Sequence, residues 1–275
     1  MKALVIVVVL VVFSPNVLAQ HDPPQAAREE VNLGVKAYKQ ADYDAALQHF
    51  QRAVSIDGDF SVARLYLATT FAQQYVPGVD TDENRALAEK AIEQYQELLK
   101  RQPDSMHSLK GIAYLKMQMK QFDDARLYYR WALKLDDKDP ELYYSVAVID
   151  WTEAYRNTAV QKTRLRLKTG DLLIQNPSCP KLRARNLPLV EEGLDMLTQA
   201  VRLRKDYDDA MVYISLLYRQ RAEIACGDQA ATQADQKRAD QWTELAMEAR
   251  KKKIESGKKC AGGLVLEKEC QQPPP

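Results

Sequence analysis

The sequence predicts an all-α fold, an α-solenoid of about five helix-turn-helix units that ends in a capping helix. One pattern occurs twice with the same internal spacing: Gly34, Tyr43, Ala46, Phe50 and Ala53 form the first copy, and Ala113, Phe122, Ala125, Tyr129 and Ala132 form the second. The two copies lie in stretches of equal length without insertions, residues 27–60 and 106–139. A small residue lets two helices approach closely, and aromatic and apolar residues fill the seam between them.

These stretches resemble the tetratricopeptide repeat, a helix-turn-helix unit of roughly 34 residues. The resemblance covers residues 27–253 and is strongest in the first and third units. More broadly, the chain is similar to secreted proteins with several such repeats that are common in soil bacteria such as acidobacteria. Members of the repeat family bind other proteins and rarely catalyse reactions. The resemblance therefore implies a protein or peptide partner and no enzymatic activity.

The repeat region divides at recurring positions of this pattern. We expect units at residues 27–60, 61–105, 106–139, 140–207 and 208–255, preceded by a short segment at residues 20–26 and followed by a tail at residues 256–275. The second unit is longer than one repeat, and its surplus residues are expected in the turn around residues 75–85. Because each unit buries its apolar faces only against its neighbours, we expect one solenoid domain over residues 27–255.

The fourth unit is about one repeat too long. Its second helix pattern is found only at residues 189–203. Pro177, Pro180 and Pro188 disfavour a continuous helix before that point. We therefore expect an inserted arm at residues 156–188.

The N-terminus predicts export. Lys2 precedes an apolar run from Ala3 to Phe13, and small residues up to Ala19 match a signal-peptidase site. The run is about half of the ~20 apolar residues that a membrane helix needs. Cleavage near Ala19 is expected, which would place the protein in the periplasm or outside the cell. The alternative is a segment that is kept as an N-terminal anchor.

Charge and motifs argue against several classes of function. Cleavage would remove Lys2, so the net charge of +1 would fall to about 0, whereas a nucleic-acid-binding protein carries a basic excess. His21, His49 and His107 are not spaced as metal ligands, and neither a phosphate-binding loop nor a nucleophile motif is present. We therefore expect no catalytic site, no metal and no cofactor.

The family resemblance also implies a binding surface. In this family the first helix of each unit lines a concave groove, and its groove positions correspond here to Asn32, Val35, Tyr38, Tyr66, Thr69, Gln73, Lys110, Tyr114, Met117, Tyr144, Trp151, Tyr213 and Arg219. Tyrosines give a large contact area and are enriched at binding hot spots. Val31 and Val35 stand where the family's carboxylate clamp has lysine and asparagine, so capture of a peptide C-terminus is not expected. The alternative is that some of these tyrosines pack against a neighbouring repeat or the arm.

The expected arm is a second candidate surface because residues 156–185 carry eight lysines and arginines and one acid, Asp171. Such an excess attracts anionic partners, for example lipid head groups, a cell-wall polymer or an acidic protein. The candidate residues are Lys162, Arg164, Arg166, Lys168, Arg183 and Arg185. The alternative is a solvated face whose charges meet acids elsewhere.

The four cysteines lie in the C-terminal third, at Cys179, Cys226, Cys260 and Cys270. An even number in an exported protein suggests disulfides, and three pairings are open. Local spacing favours Cys260 with Cys270, which leaves Cys179 for Cys226. Four free thiols are the alternative.

Overall fold

A computed structural model describes residues 22–167, 173 and 176–261, with side chains as far as residue 255. Within these ranges the chain forms ten α-helices and no strand. The predicted all-helical class is confirmed. The expected signal segment, residues 1–19, lies outside the described residues, and the expected tail is described only by its backbone up to Ala261.

The helices follow one another in pairs. They are α1 (Gln25–Lys39) and α2 (Tyr43–Ile56), α3 (Ser61–Gln74) and α4 (Asp82–Arg101), α5 (Met106–Gln118) and α6 (Phe122–Leu135), α7 (Pro140–Arg164) and α8 (Cys179–Leu203), and α9 (Asp208–Glu223) and α10 (Gln229–Ala261). The chain divides into two compact units between Thr70 and Phe71, within α3. We expected one continuous domain. Since each pair of a repeat protein packs only on its neighbours, such a division is compatible with a repeat array.

In the first compact unit α1 packs against α2 through a glycine. A Cβ atom at Gly34 would lie 2.5 Å from Cε1 of Phe50, closer than any side chain can approach. Phe50 is fully buried together with Ala46 and Ala53. The small residue and the aromatic of the sequence pattern thus form the seam between the two helices.

In the second compact unit consecutive helices from α4 to α10 pack on one another, and α7 also contacts α9. Glycines again allow close approach. A Cβ at Gly111 would lie 2.6 Å from the ring of Tyr95, and one at Gly193 would lie 2.8 Å from Leu217. Ala125 and Ala132 of α6 are completely buried. Helix α7, which has three neighbours, occupies a central place in this unit.

One asparagine orders the long turn between α3 and α4. The side-chain amide of Asn84 donates to the carbonyl oxygens of Val76 and Val79, at 2.9 and 2.8 Å. Its oxygen accepts from the backbone N–H of Val76 at 2.8 Å. Thr81 caps α4 by accepting from the N–H of Asn84. The surplus residues of this turn are therefore held by hydrogen bonds.

The expected start of the eighth helix at Leu189 is wrong, because α8 begins at Cys179. Pro180 lies in the first turn, where its missing N–H has no helical partner to lose. Pro188 lies inside α8 on its exposed side. Proline has no N–H, so the carbonyl one turn earlier has no helical donor, and water can reach that carbonyl. Since α7 continues to Arg164, most of the expected arm at residues 156–188 belongs to two extended helices.

A disulfide joins Cys179, the first residue of α8, to Cys226, which follows α9. The S–S distance is 2.11 Å, and 47 residues separate the two cysteines. A loop of this length implies a stabilisation of roughly 4 kcal/mol in the chain-entropy model. Cys270 and the side chain of Cys260 lie outside the described residues, so their pairing stays a prediction.

Replacing Ala125 with glutamate should unfold the second compact unit. The substitution forces an unpaired charge into the fully buried seam of α6, which costs about 3–5 kcal/mol. Thermal melting followed by circular dichroism would show the loss. Leu127→Glu on the same helix is the matched control, because Leu127 is 63% exposed and should melt like the wild type. Equal melting of both variants would mean that the helical register is wrong.

Candidate functional site

Five aromatic side chains form one connected group on helices α7 and α9 and the turn before α9. Trp151 and Tyr155 of α7 stack, with ring centroids 5.2 Å apart. Tyr213 of α9 meets Trp151 edge to face at 5.3 Å and meets Tyr144 in the same way at 5.4 Å. Tyr207 lies 5.2 Å from Tyr144. We call these five residues the aromatic face.

Charged neighbours fix one end of the aromatic face. The hydroxyl of Tyr207 donates to a carboxylate oxygen of Glu141 at 2.5 Å. The guanidinium of Arg204 lies 3.8 Å from the ring centre of Tyr207 and pairs with the same carboxylate. Burial raises the pKa of the Tyr207 hydroxyl, and the hydrogen bond to Glu141 raises it further. The phenol therefore stays a hydrogen-bond donor throughout the physiological range.

The aromatic face combines anchored and accessible rings. Tyr144, Trp151 and Tyr213 are half-buried and pack against the apolar core of the second compact unit. Tyr155 is 45% exposed. Rings that are held in place lose little conformational entropy when they bind, while their free edges offer contact area.

The structure brings together three of the groove residues that the resemblance implied, Tyr144, Trp151 and Tyr213. Tyr114 of α5 is 43% exposed but makes no ring contact with the aromatic face. Lys110 pairs with Asp139 at 2.5 Å, and Arg219 pairs with Asp240 at 2.9 Å. Met117 is half-buried and Gln73 is exposed.

The groove candidates of the first compact unit make local contacts. Tyr38 meets Tyr43 edge to face at 5.3 Å, and Tyr66 stacks on Phe50 at 5.2 Å. The hydroxyl of Thr69 donates to the carbonyl of Leu65 within its own helix. Asn32 is exposed, Val35 is half-buried and Val31 is buried. These contacts form no aromatic network comparable to the aromatic face among the described residues of this unit.

Tyr155 and Tyr207 are not among the groove residues that the family resemblance implied. Tyr155 follows Trp151 by four residues, a spacing that places two side chains on the same side of a helix. Helical periodicity alone could therefore have identified Tyr155 as a neighbour of Trp151. Tyr207 precedes α9, outside the first-helix positions that the family resemblance supplied. No spacing rule places a turn residue against a ring of another helix.

A buried ion cluster supports α7 from the side of α6. The Nε atom of Arg126 donates to Oδ1 of Asp150 at 2.8 Å, and its other nitrogens bond Glu153 and Asp123. Asp150 is completely buried, and its Oδ2 atom has no hydrogen-bond partner. Burial raises the pKa of the Asp150 carboxyl to about 7, Glu192 adds to this rise, and Arg126 partly opposes it.

A pair of buried asparagines joins α7 to α8. The side-chain amide of Asn157 donates to the side-chain oxygen of Asn186 at 2.9 Å. The amide of Asn186 in turn donates to the carbonyl of Ala154, also at 2.9 Å. These bonds satisfy polar groups that would otherwise be costly to bury.

The basic residues of the expected arm have different surroundings. Lys162 pairs with Glu223 at 2.9 Å, and Arg183 donates to the carbonyl of Ile224 at 3.1 Å. Arg164 and Arg185 line a cavity between α7 and α8. Arg166 is exposed, and Lys168 lies outside the described residues.

Two further findings concern the part of the chain that the structure describes. None of its helices combines the length and the apolar character that a bilayer crossing requires. Nor does it contain a group of three or more histidine, cysteine, aspartate or glutamate side chains that could hold a metal ion.

Comparisons with known proteins show the fold. No protein-family model matches the chain, and no curated protein matches it in sequence. Among solved structures, MamA from Desulfovibrio magneticus RS-1 is 12% identical over 84% of this chain and 98% of its own, with a TM-score of 0.57. YrrB, described as a TPR protein with an unusual peptide-binding site, is 13% identical over 82% of this chain and 92% of its own, with a TM-score of 0.51. The α-solenoid of helical repeats is therefore confirmed.

The buried carboxyl of Asp150 should make stability depend on pH. Its pKa in the folded protein is raised to about 7 from an ordinary value of 3.8. This group therefore contributes stability at low pH that is lost as the pH rises through about 7. The charged groups around it are Arg126 and Arg130 of α6, Glu153 of α7 and Glu192 of α8.

Urea unfolding of the wild type and of Asp150→Asn at about pH 5 and about pH 8 measures this contribution. We expect the wild type to lose more stability than the variant between these two values. Parallel losses in both proteins would show that Asp150 is ionised over the whole range.

Proposed function

We propose that the protein is a non-catalytic scaffold that binds a protein or peptide through the first-helix side of its second compact unit. The observation that supports this most is the aromatic face, whose rings come from two first helices and the turn between pairs. Tyr114 of α5 adds an exposed ring on an earlier first helix. Hot spots of binding surfaces are enriched in tyrosine and tryptophan. Rings that are already held in place lose less entropy when a partner binds.

The chemistry of the aromatic face favours an uncharged or weakly charged segment of the partner. Its rings offer apolar edges, and the nearby Glu141 and Arg204 neutralise each other. A peptide with apolar or aromatic side chains would gain contact area without leaving a buried charge unpaired. The fold that the chain shares with YrrB, which is described as having a peptide-binding site, is compatible with this mode of binding.

We further propose that the protein is exported and acts in the periplasm or outside the cell. Two features support export. The N-terminal sequence has the pattern of a cleavable signal, and the disulfide between Cys179 and Cys226 would persist in an oxidising compartment. As part of this proposal, the chain is a secreted repeat protein of the acidobacteria-like type.

The alternative is an envelope-associated assembly factor that binds anionic membrane or cell-wall material through its basic residues. Arg164 and Arg185, which line an open cavity, favour it. Lys162 and Arg183 weaken it as a broad basic surface, because both are engaged within the protein. Salt separates the two functions, since screening weakens charge-driven binding and changes aromatic contacts little.

Loss of exposed rings from the first-helix side should weaken partner binding. We would compare the wild type with a Tyr114→Ala, Tyr155→Ala variant in affinity capture from an envelope extract of the native host. Each partner identified by mass spectrometry would then be purified, and its affinity measured by calorimetry at low and high salt. We expect the variant to bind roughly tenfold more weakly or worse, at both salt concentrations.

The matched control is Tyr128→Ala, Trp131→Ala on the second helix α6. These two rings also stack, with centroids 6.4 Å apart, and Trp131 is 38% exposed. The control should bind like the wild type. The proposal would be contradicted if both variants lost binding equally. It would also be contradicted if the double variant bound like the wild type and only high salt removed binding.

Export makes a direct prediction for the mature protein. Fractionation of the native host, followed by N-terminal sequencing, should find a chain that begins at Gln20 in the periplasm or the medium. A chain that keeps residues 1–19 and sediments with membranes would show an anchor instead.

A further inference from the structure

A cationic pocket lies between the end of α7 and the start of α8. Its volume is about 380 Å³. Arg164 of α7 and Lys181 and Arg185 of α8 line it, together with the polar side chains of Gln161 and Ser178. We keep the name cationic pocket for this cavity and its three cations.

The three cations of the pocket lack carboxylate partners among the residues that the structure describes. None of the described residues that line the pocket is acidic. The nearby basic residues behave differently, since Lys162 pairs with Glu223 and Arg183 donates to a carbonyl. Like charges that share one cavity repel, and the absence of a counter-charge is unfavourable unless an anion enters.

The direction of α8 increases the positive potential in the pocket. Its first turn contains no acidic residue, and Ser178 makes no side-chain cap. Lys181 therefore lies in the first turn, at the positive end of the helix dipole, where anions are normally favoured and cations are not, and Arg185 lies one turn further along α8. The dipole and the side chains act in the same sense, and both attract an anion.

Two contacts hold the start of α8 beside the pocket before any ligand arrives. The side-chain amide of Gln161 donates to the hydroxyl of Ser178 at 2.8 Å, across the opening between α7 and α8. The disulfide at Cys179 fixes the first residue of α8. These contacts limit the entropy that the start of α8 loses on binding, whereas the exposed side chains of Arg164, Lys181 and Arg185 are ordered when the ligand binds.

From this arrangement we propose that the cationic pocket binds a phosphoryl group, carried either by a small soluble molecule or by a lipid head group. Guanidinium groups match the oxygens of phosphate in pairs, and lysine adds a compact positive charge. Three positive charges suit a doubly charged phosphate monoester. The volume is within the lower range of small-molecule sites, so the pocket has room for part of the molecule that carries the phosphate. This proposal does not depend on peptide binding at the aromatic face.

Calorimetry on the purified, disulfide-intact protein tests the proposal with defined probes. The soluble probes are inorganic phosphate and glycerol 3-phosphate, and the lipid probe is a phosphatidylcholine vesicle with or without phosphatidic acid. We expect saturable binding that Lys181→Gln, Arg185→Gln weakens by roughly tenfold or more. The control Lys134→Gln, Lys237→Gln removes the same charge from exposed positions outside the pocket and should bind like the wild type.

The outcomes separate the sources of the phosphoryl group. Binding of glycerol 3-phosphate without vesicle binding assigns a soluble ligand, and binding only of vesicles with phosphatidic acid assigns a head group. Absence of binding to every phosphate probe would overturn the proposal. So would equal weakening in both double variants, since that would indicate general attraction to a basic protein. Circular dichroism melting of the variants shows whether they remain folded.

Discussion

The buried contact between Arg126 and Asp150 holds helix α7 in place, and both candidate binding surfaces depend on that helix. Trp151 of the aromatic face follows Asp150 directly along α7, Tyr155 follows one turn later, and Arg164 of the cationic pocket lies at the C-terminal end of the helix. Without the Arg126 side chain, the buried oxygen of Asp150 and the carboxylate of Glu153 would lose the donor that joins α6 to α7, and an unsatisfied buried acceptor costs about 1–3 kcal/mol. This contact therefore fixes α7 at the residues that precede the rings of the aromatic face.

The two surfaces on α7 select for different chemistry. The aromatic face presents half-buried rings and one internally neutralised ion pair, so its contacts depend on shape and apolar area. The cationic pocket presents three positive charges without carboxylates among its described lining residues, so its contacts depend on charge. If both proposals hold, a polypeptide and an anionic group would bind at separate places and would not compete for the same side chains.

The sequence predicted much of the fold because helix pairs are specified locally. Gly34 and Phe50 lie 16 residues apart within one unit, and their pattern predicts the seam that the structure contains. The start of α8 does not follow from the sequence, because Pro177, Pro180 and Pro188 disfavour a continuous helix, yet Pro180 fits the first turn of α8 and Pro188 lies inside the helix. The contacts of Arg126 with Asp150 and of Tyr207 with Tyr144 join different elements, and no local spacing encodes them. Family positions supplied Tyr144, Trp151 and Tyr213 but could not show that their rings meet.

Site-specific photo-crosslinking would show whether partners dock on the aromatic face. A photoreactive phenylalanine analogue would replace Tyr155 in one protein and Trp131 in another, and each would be irradiated with the envelope extract. We expect one or a few defined adducts from position 155 and none of these from position 131. Identical adducts from both positions, or adducts from position 131 alone, would contradict docking on the aromatic face.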